Sequence, residues 1–386
     1  NLRAMGASGR ASLLSGLQVD EETVRIGSKT YSLRDLVGIK ALARGVEVYS
    51  CPATSVGCLS GGERAFRRER IAVEAPADVA EDVKATLRAA YPATPRRALV
   101  VVNPKGGVGN ANRVFQRDVR PVLEAAEVAF EVLVTSRSRE ATERSRAFAA
   151  ARFHADRRRT PPKMKPKGSS SPAGAASPQT SPGSGGGAPE PDFDCIVVVG
   201  GDGTVWEVVR GLWEGCRETT STSTTSGAAA RQHPTSSSLP GGDVAMRRLD
   251  DDDDDMAAKL ATIPLCHVPA GSGNALAESI AHAHGDACSA VDAAYAVAKG
   301  TVVPLDLVEY ELADGRAYPS FLSFEWAMLA DVDLGSESLR CLGDLRFHLA
   351  AVYRICCLKR YEGTLAYLPF DDDDDDVSTY RSRARL

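Results

Sequence analysis

Residues 195–204 have the sequence Cys-Ile-Val-Val-Val-Gly-Gly-Asp-Gly-Thr, a short apolar run that passes directly into a glycine-rich turn. The apolar half is typical of a buried strand, and the glycines predict a tight turn into a following helix. Such a turn lets phosphate oxygens approach backbone N–H groups at a helix N-terminus. Asp202 would repel a phosphate there, so we expect it to accept a proton from an attacking hydroxyl or to help hold Mg²⁺. The alternative is a tight turn in which Asp202 is only a local cap.

Two further glycine-rich loops follow apolar runs elsewhere in the chain. Asn103-Pro-Lys-Gly-Gly-Val-Gly109 follows Ala98–Val102, and Pro269-Ala-Gly-Ser-Gly-Asn274 follows Ile263–Val268. The first loop has neither the G-x-G-x-x-G nor the Walker A spacing, which argues against the usual dinucleotide and P-loop sites. Because ligands bind at the carboxyl ends of strands in open α/β sheets, three such loops indicate one shared crevice.

Strands and helices alternate over residues 97–300, which predicts a Rossmann-like parallel sheet with helices on both faces. A further strand is expected at Phe130–Thr135, and helices at Glu140–Phe153 and Asp286–Lys299, with Asp286 as a cap. Two low-complexity insertions, 157–190 and 217–258, interrupt this domain. We expect both insertions to be disordered, because they cannot bury enough apolar surface to offset the entropy of ordering.

The two flanking blocks have a different character. Residues 1–95 combine short strand-like pieces with one helix, Ala77–Tyr91, and fit either a small PH-like module that binds lipid or protein or an extension that packs on the next domain. From residue 301 onward, Val302–Leu312 and Ala317–Phe324 predict strands joined by a turn. We therefore expect a partial β-rich domain of the β-sandwich type over 301–370, followed by an acidic and basic tail over 371–386.

The composition excludes a wholly disordered chain, because 43% of the 386 residues are hydrophobic and 25% are charged. Twelve aspartates lie in the runs 250–255 and 371–376, so the net charge of −5 becomes +7 when those runs are set aside. The nine cysteines show no C-x-x-C spacing, which favours reduced thiols and a cytoplasmic location. No apolar run approaches the length of a membrane span. The chain begins with Asn1 rather than Met, so its targeting cannot be judged.

The motifs together carry a family resemblance. Gly200-Gly-Asp-Gly-Thr204, preceded by an Asn-Pro-x-Gly-Gly loop, resembles the superfamily of diacylglycerol, ceramide and sphingosine kinases. Pro269–Ala277, Trp326–Arg346 and Tyr361–Pro369 are similar to sphingosine kinases, the sphingoid long-chain base kinases, and the resemblance covers about 97–370 apart from the insertions. The chain departs from the family pattern at Ala327, where a Gly is usual, and at Thr204, where many members have an apolar residue. The family's lipid-binding domain continues past 370, so the sequence fits either a shortened gene model or a truncated, inactive relative.

The resemblance implies an ATP- and Mg²⁺-dependent kinase that phosphorylates the primary hydroxyl of sphingosine or a related sphingoid base. It also implies peripheral association with a membrane and no nucleic-acid partner; a kinase of diacylglycerol or another lipid, and a non-catalytic relative that binds lipid or nucleotide, are the alternatives. Neither metal ligands nor an oligomeric state can be assigned.

The family's functional residues can be carried over position by position. Asp202 matches the catalytic base, and Asp333, with Asp331 and Ser323 beside it, matches the site for the lipid's amino group. Glu207 follows Thr204 at the spacing of a capping box, so its expected role is either a cap or an ATP contact. The residues that match nucleotide contacts are Asn103, Pro104, Lys105, Gly106, Gly107, Thr135, Ser136, Arg137, Ser138, Arg139, Gly200, Gly201, Gly203, Thr204, Glu207, Gly271, Ser272, Gly273, Arg340 and Arg346.

Overall fold

A computed structural model describes most of the chain outside the low-complexity segments. It covers residues 17–20, 22–43, 45–55, 64–76, 78–106, 109–159, 193–221, 251–312, 314–343, 345–362, 364–367 and 382–385. The chain divides into two compact units, Asn1–Phe321 and Leu322–Leu386, and each is described by itself.

The described strands are β1 (Leu17–Val19), β2 (Thr23–Ile26), β3 (Lys29–Ser32), β4 (Leu36–Ala41), β5 (Val46–Ser50), β6 (Ala53–Ser55), β7 (Arg64–Phe66), β8 (Glu69–Val73), β9 (Arg97–Val102), β10 (Ala129–Val134), β11 (Cys195–Gly200), β12 (Leu265–Pro269), β13 (Val308–Glu311), β14 (Ala317–Ser320), β15 (Thr364–Tyr367) and β16 (Ser382–Arg385). The described α-helices are α1 (Val79–Ala90), α2 (Ala111–Val114), α3 (Arg120–Ala125), α4 (Glu140–Arg159), α5 (Asp202–Ser221), α6 (Asp251–Ala261), α7 (Ala275–His284), α8 (Ala290–Lys299), α9 (Met328–Gly335) and α10 (Leu345–Cys356). A π-helical turn, Phe115–Val119, joins α2 to α3.

A four-stranded parallel sheet with the order β10-β9-β11-β12 forms the centre of the first unit and confirms the predicted parallel sheet. Its middle strands are buried on both faces, which explains their unbroken runs of Val and Ile. Val100 and Val102 pack towards α2, α3 and α8, whereas Leu99 and Val101 pack towards α4 and α5. The chain order reverses between β9 and β11, which is where open α/β sheets form their ligand crevice.

Helices α4 and α5 pack at very short range on one face of the sheet. A Cβ atom added at Gly211 would lie 2.3 Å from the carbonyl oxygen of Thr142, and one added at Gly215 would lie 2.5 Å from that of Arg146. At the far end of α4, the Arg152 guanidinium donates to the carbonyl of Phe193 at 2.8 Å, just before β11 begins. The ends of both helices therefore lie at the amino edge of the sheet.

The N-terminal strands pack against the helices on the opposite face. They form antiparallel sheets with the orders β1-β2-β3, β4-β5-β8 and β6-β7, and α1 completes their own core. The Lys299 ammonium, at the end of α8, donates to the carbonyls of Leu33 and Leu36 at 3.0 and 2.7 Å. At Gly38 the backbone approaches α3 so closely that a Cβ atom would lie 1.7 Å from the Ala125 carbonyl oxygen.

Several predicted boundaries in the first unit differ from the structure; α4, for example, continues to Arg159 instead of ending at Phe153. Helix α8 starts at Ala290 rather than at Asp286, because the Ser289 hydroxyl is the cap that accepts from the Asp292 N–H. The predicted insertion 217–258 is partly helical, since α5 continues to Ser221 and α6 starts at Asp251. The rest of that insertion, and most of the predicted insertion 157–190, lie outside the described residues.

The β-sandwich predicted after residue 301 is not confirmed. Val302–Leu312 and Ala317–Phe324 contain only the short strands β13 and β14, which form a hairpin. In the second unit, α9 and α10 flank a 3₁₀-helical segment, Glu337–Leu342, and β15 pairs with β16. Within α10, Leu345, Leu349 and Val352 recur at helical spacing.

Candidate active site

The loops predicted to bind a ligand all leave the carboxyl edge of the parallel sheet. Asn103 follows β9, Thr135 follows β10, the Gly200–Gly201 turn ends β11, and Gly271 follows β12. Because the four strands are parallel, their following loops meet at one edge. The loops of the predicted crevice therefore lie side by side.

The Asp202 carboxylate is held by the start of α7. Its Oδ2 atom accepts the N–H of Ala275 at 2.8 Å, and its Oδ1 atom accepts the N–H of Leu276 at 3.1 Å. The Asp202 N–H in turn donates to the Gly273 carbonyl at 3.1 Å. The carboxylate thus satisfies two of the free N–H groups of a helix N-terminus, which fixes its orientation.

Gly201 and Gly271 bring two of the loops into backbone contact. A Cβ atom added at Gly271 would lie 2.3 Å from the Gly201 Cα atom, and one added at Gly201 would lie 2.8 Å from the Gly273 carbonyl oxygen. Any side chain would force the loops apart, so these glycines are required by the packing of the loops on each other. A Cβ atom at Gly203, by contrast, would have no neighbour within 4 Å.

The first loop is tied both to the Gly-Gly-Asp-Gly turn and to the segment after β10. The Asn103 side-chain amide donates to the Thr204 hydroxyl at 2.9 Å, and the Lys105 ammonium donates to the Ser136 carbonyl at 3.3 Å. Thr204 is buried by this contact, which gives a physical reason for a hydroxyl at a position where many family members have an apolar residue. Pro104 and Gly106 are partly buried beside this contact, and Gly107 lies outside the described residues.

The segment after β10, residues 135–139, donates backbone N–H groups to two glutamates. The Glu140 carboxylate accepts the N–H groups of Ser136 and Arg137, at 2.6 and 3.4 Å, and the Ser136 N–H lowers the pKa of Glu140. Glu207 accepts the backbone N–H of Arg139, but its burial outweighs this bond and raises the pKa of Glu207. The remaining members of this segment are a buried threonine and an exposed serine, Thr135 and Ser138.

The capping box, one of the two roles left open for Glu207, does not form. Helix α5 already begins at Asp202, so Thr204 lies inside its first turn and bonds to Asn103 instead of capping the helix. Glu207 is directed to the backbone of the neighbouring segment. Its role as a nucleotide contact stays a prediction.

The predicted lipid-binding acids lie on α9 in the second unit and have different surroundings. Asp331 accepts the Tyr361 hydroxyl at 2.5 Å and pairs with Arg354 at 3.2 Å, and the Tyr361 bond lowers the pKa of Asp331. The Asp333 side chain is 54% exposed and lies 3.6 Å from the Arg346 guanidinium. Asp331 is thus already occupied by protein groups, whereas Asp333 is open to solvent.

The two predicted phosphate-binding arginines lie on different helical segments of that unit. Arg346 lies in the first turn of α10 and is buried, and its Nε and Nη1 atoms have no hydrogen-bond partner among the described residues. A buried guanidinium with unused donors fits an anionic ligand. Arg340 lies in the 3₁₀ segment, and Ser323 is exposed ahead of α9.

Two polar residues near the crevice were not among the predicted site residues. Asn274 closes the loop after β12, because its side chain accepts the Gly271 N–H at 2.9 Å and donates to the Gly271 carbonyl at 3.2 Å. His267, buried in β12, lies beside Asp202, with 3.9 Å between its Nδ1 atom and the Asp202 Oδ1 atom. The Gly-Asn ending of the loop signals Asn274, whereas nothing in the sequence around His267 marks it.

The described part of the chain offers neither an evident metal site nor a membrane span. Its His, Cys, Asp and Glu side chains form no group of three or more that could hold a metal ion. None of its helices is both long and apolar enough to cross a bilayer.

Comparisons with known proteins identify the central domain. Residues 97–156 and 186–310 match the diacylglycerol kinase catalytic domain family. The chain is 29% identical over 285 residues to sphingosine kinase 1 of Rattus norvegicus, covering 71% of this chain and 52% of that protein. It is 25% identical over 260 residues to sphingoid long chain base kinase 4 of Schizosaccharomyces pombe, covering 67% of this chain and 38% of that protein.

One similar solved structure is a diacylglycerol kinase from Bacillus anthracis, with 20% identity and a TM-score of 0.29 over 55% of this chain and 43% of that one. The chain spans about half the length of the first curated relatives that it matches. The parts of the chain at 97–156 and 186–310 therefore resemble the catalytic domain of the diacylglycerol kinase family, in a chain that is similar to the sphingosine kinases.

Proposed function

We propose that this chain is an ATP-dependent lipid kinase that transfers the γ-phosphoryl group to the primary hydroxyl of sphingosine or a related sphingoid base. The observation that carries the proposal is the placement of Asp202, a carboxylate fixed among three glycine-containing loops at one sheet edge. The diacylglycerol kinase catalytic domain supports the reaction class, and the sphingosine kinase relatives support the class of lipid.

The nucleotide would bind where the glycine loops expose backbone N–H groups. The bare surface at Gly203, in the first turn of α5, leaves room for a phosphate oxygen beside a helix N-terminus. Mg²⁺ would arrive with the nucleotide and be held mainly by its phosphates and water, because the described side chains form no metal cluster of their own. When bound, it would neutralise charge on the phosphates.

Asp202 would act as the base that takes the proton of the lipid hydroxyl. Its two bonds to the start of α7 hold the carboxylate in one orientation before substrate binds, so no reorganisation is needed at the moment of transfer. The transfer itself requires mainly in-line positioning and stabilisation of charge, which the neighbouring backbone donors would supply.

The sphingoid base would be recognised through its ammonium group by Asp333. A carboxylate facing an ammonium gives a charge-assisted hydrogen bond, and Asp333, whose side chain is 54% exposed, is accessible to a ligand. Asp331 would support the unit from within through Tyr361 and Arg354. Because the substrate is a lipid, we include peripheral association with a membrane surface in the proposal.

A side-by-side assay tests the function. Purified chain is incubated with Mg²⁺, radiolabelled ATP and mixed micelles that contain sphingosine, ceramide or diacylglycerol. We expect label to enter sphingosine preferentially. Preferential labelling of diacylglycerol would contradict the sphingoid-base assignment. It would favour the second candidate function, a diacylglycerol kinase, which the match to the diacylglycerol kinase catalytic domain family supports. ATP binding without labelling of any lipid would contradict the kinase assignment and favour a non-catalytic relative.

The substitution Asp333→Ala tests the recognition of the amine. Loss of a charge-assisted contact costs about 1.5–3 kcal/mol, so the KM for sphingosine should rise about ten- to a hundredfold. A deaminated analogue never makes this contact, so its KM should stay unchanged. Asp331→Ala is the matched control, which should lower the stability of the unit and affect both lipids alike. Equal losses for both lipids in Asp333→Ala would argue against the assignment.

A further inference from the structure

His267 is a buried imidazole directly behind the Asp202 carboxylate. It lies in β12 opposite Val198 of β11, and its side chain has no solvent exposure. The Nε2 atom lies 3.0 Å from the Gly200 carbonyl oxygen, which also accepts the Ala270 N–H. Because a carbonyl can only accept, the Nε2 atom must carry the hydrogen.

The other ring nitrogen has no such partner. The Nδ1 atom is buried without a hydrogen bond among the described residues, and it lies 3.9 Å from the Asp202 Oδ1 atom. Burial lowers the pKa of His267, so the ring is neutral at neutral pH and its Nδ1 atom presents a lone pair. Two hydrogen-bond acceptors therefore face each other across a gap that is about 1 Å longer than a hydrogen bond.

This arrangement lacks a proton and an approach of the two groups by about 1 Å. An unpaired buried acceptor is unfavourable, and it becomes satisfied once the opposing carboxyl carries a hydrogen and moves within hydrogen-bond distance. A hydroxyl that transfers its proton to Asp202 would supply that hydrogen. Before proton transfer the His267 Nδ1 atom has no hydrogen bond among the described residues, and it can accept one from Asp202 after proton transfer.

We propose that His267 is a positioning residue for Asp202: its Nε2–H holds the Gly200 carbonyl, and its Nδ1 atom accepts a hydrogen bond from Asp202 once the carboxylate has taken the proton of the lipid hydroxyl. This inference rests on the proposed kinase function. The hydroxyl oxygen forms a bond to the γ-phosphorus while the bond from that phosphorus to the ADP oxygen breaks. The proton passes to the Asp202 Oδ1 atom, is shared with His267, and leaves to water with product release.

Two conservative variants separate the roles of the two ring nitrogens of His267. His267→Gln can keep a donor at the Nε2 position for Gly200 but offers no acceptor at the Nδ1 position. His267→Asn places an amide at the Nδ1 position but cannot reach the Gly200 carbonyl. Loss of one hydrogen bond corresponds to a rate effect of up to about tenfold.

The kinetic test compares kcat, KM and stability in the wild type and both variants, with the lipid that the wild type phosphorylates. We expect His267→Gln to keep the melting temperature and lose about tenfold in kcat, with both KM values unchanged. His267→Asn should lose stability yet keep more of kcat. A His267→Gln chain with wild-type kcat would overturn the inference, as would kcat losses in both variants that track the unfolded fraction. An inactive wild type would instead refute the proposed function.

A measurement without substrate tests the arrangement itself. In the chain labelled with ¹⁵N-histidine, which contains six histidines, the signals that disappear in His267→Gln belong to His267. We expect a protonated Nε2 atom and an unprotonated Nδ1 atom. The Nδ1 signal should shift in Asp202→Asn, where an amide replaces the carboxylate. A protonated Nδ1 atom, or a signal that does not respond to Asp202→Asn, would overturn the inference whatever the chain phosphorylates.

Discussion

The substitution Asp202→Asn should remove catalysis and also weaken the start of α7, and the two effects can be separated. The carboxylate accepts two backbone N–H groups, through Oδ2 at 2.8 Å and through Oδ1 at 3.1 Å. An asparagine keeps one acceptor oxygen and turns an NH₂ group towards the other N–H. Losing one hydrogen bond to a charged acceptor, together with the favourable charge at a helix N-terminus, should lower the free energy of unfolding by about 2 kcal/mol.

The loss of a general base lowers kcat by about a hundred- to ten-thousandfold. This loss exceeds what a destabilisation of about 2 kcal/mol can cause in a chain that remains folded at the assay temperature. The assay combines urea unfolding with turnover of the lipid that the wild type phosphorylates. It includes titration of ATP binding, which should be retained.

Asp194 provides a matched control at the opposite edge of the sheet. Its Oδ2 atom also accepts two backbone N–H groups, from Arg96 at 2.7 Å and from Arg97 at 2.9 Å. Asp194→Ala should therefore lower stability by about as much while leaving kcat unchanged. An Asp202→Asn chain within tenfold of the wild-type kcat would refute the assignment of the base. An equal loss of kcat in Asp194→Ala would show that the loss comes from loop geometry.

Three further outcomes follow from the packing. Burial lowers the pKa of Lys299 from 10.5 to about 7, so the unfolded chain binds more protons between those values. The free energy of unfolding of the wild type should therefore rise with pH across this window relative to Lys299→Met, as measured by urea unfolding at several pH values. Gly271→Ala would place a Cβ atom 2.3 Å from the Gly201 Cα atom and should lower the free energy of unfolding by about 1–3 kcal/mol, whereas Gly203→Ala should be tolerated. Equal melting temperatures of the two variants in calorimetry would contradict this prediction. Replacing 222–250 by a short Gly-Ser linker should leave the melting temperature within a few degrees of the wild type, and a large decrease would show that the segment supports the fold.

The parallel sheet could be predicted because each of its central strands is buried on both faces. A strand in that position is an unbroken β-branched run, as at Ile196–Val199, and the glycine loops that end these runs are visible without any tertiary information. The four predicted strands of this sheet agree with the structure to within two residues at each end. The position of the crevice follows from the same signals.

The contacts between the loops could not be predicted, because they depend on residues that are distant in the sequence. The sequence predicts Gly201 and Gly271 as phosphate-binding glycines, but it does not reveal that the two loops pack on each other, with a Cβ atom at Gly271 only 2.3 Å from the Gly201 Cα atom. Lysine is usually exposed and histidine is intermediate in burial, so only the folded chain reveals that the side chains of His267 and Lys299 are buried. After residue 301, large apolar residues are exposed, among them Phe324 at 79%, so apolar patterning there does not report burial.

The packing of α4 on α5 has a consequence for protein engineering. Both helices run back from the crevice, so the chain leaves each of them at the amino edge of the sheet, the edge farthest from Asp202. At the end of α5 the Thr220 hydroxyl lies 3.2 Å from the Asp255 carboxylate, so the chain returns next to the point where it departs. A fluorescent or affinity domain spliced in at 222–250 would therefore be carried on the rear of the catalytic domain. Its termini would be held close together there, and the loops at the carboxyl edge of the sheet would stay uncovered.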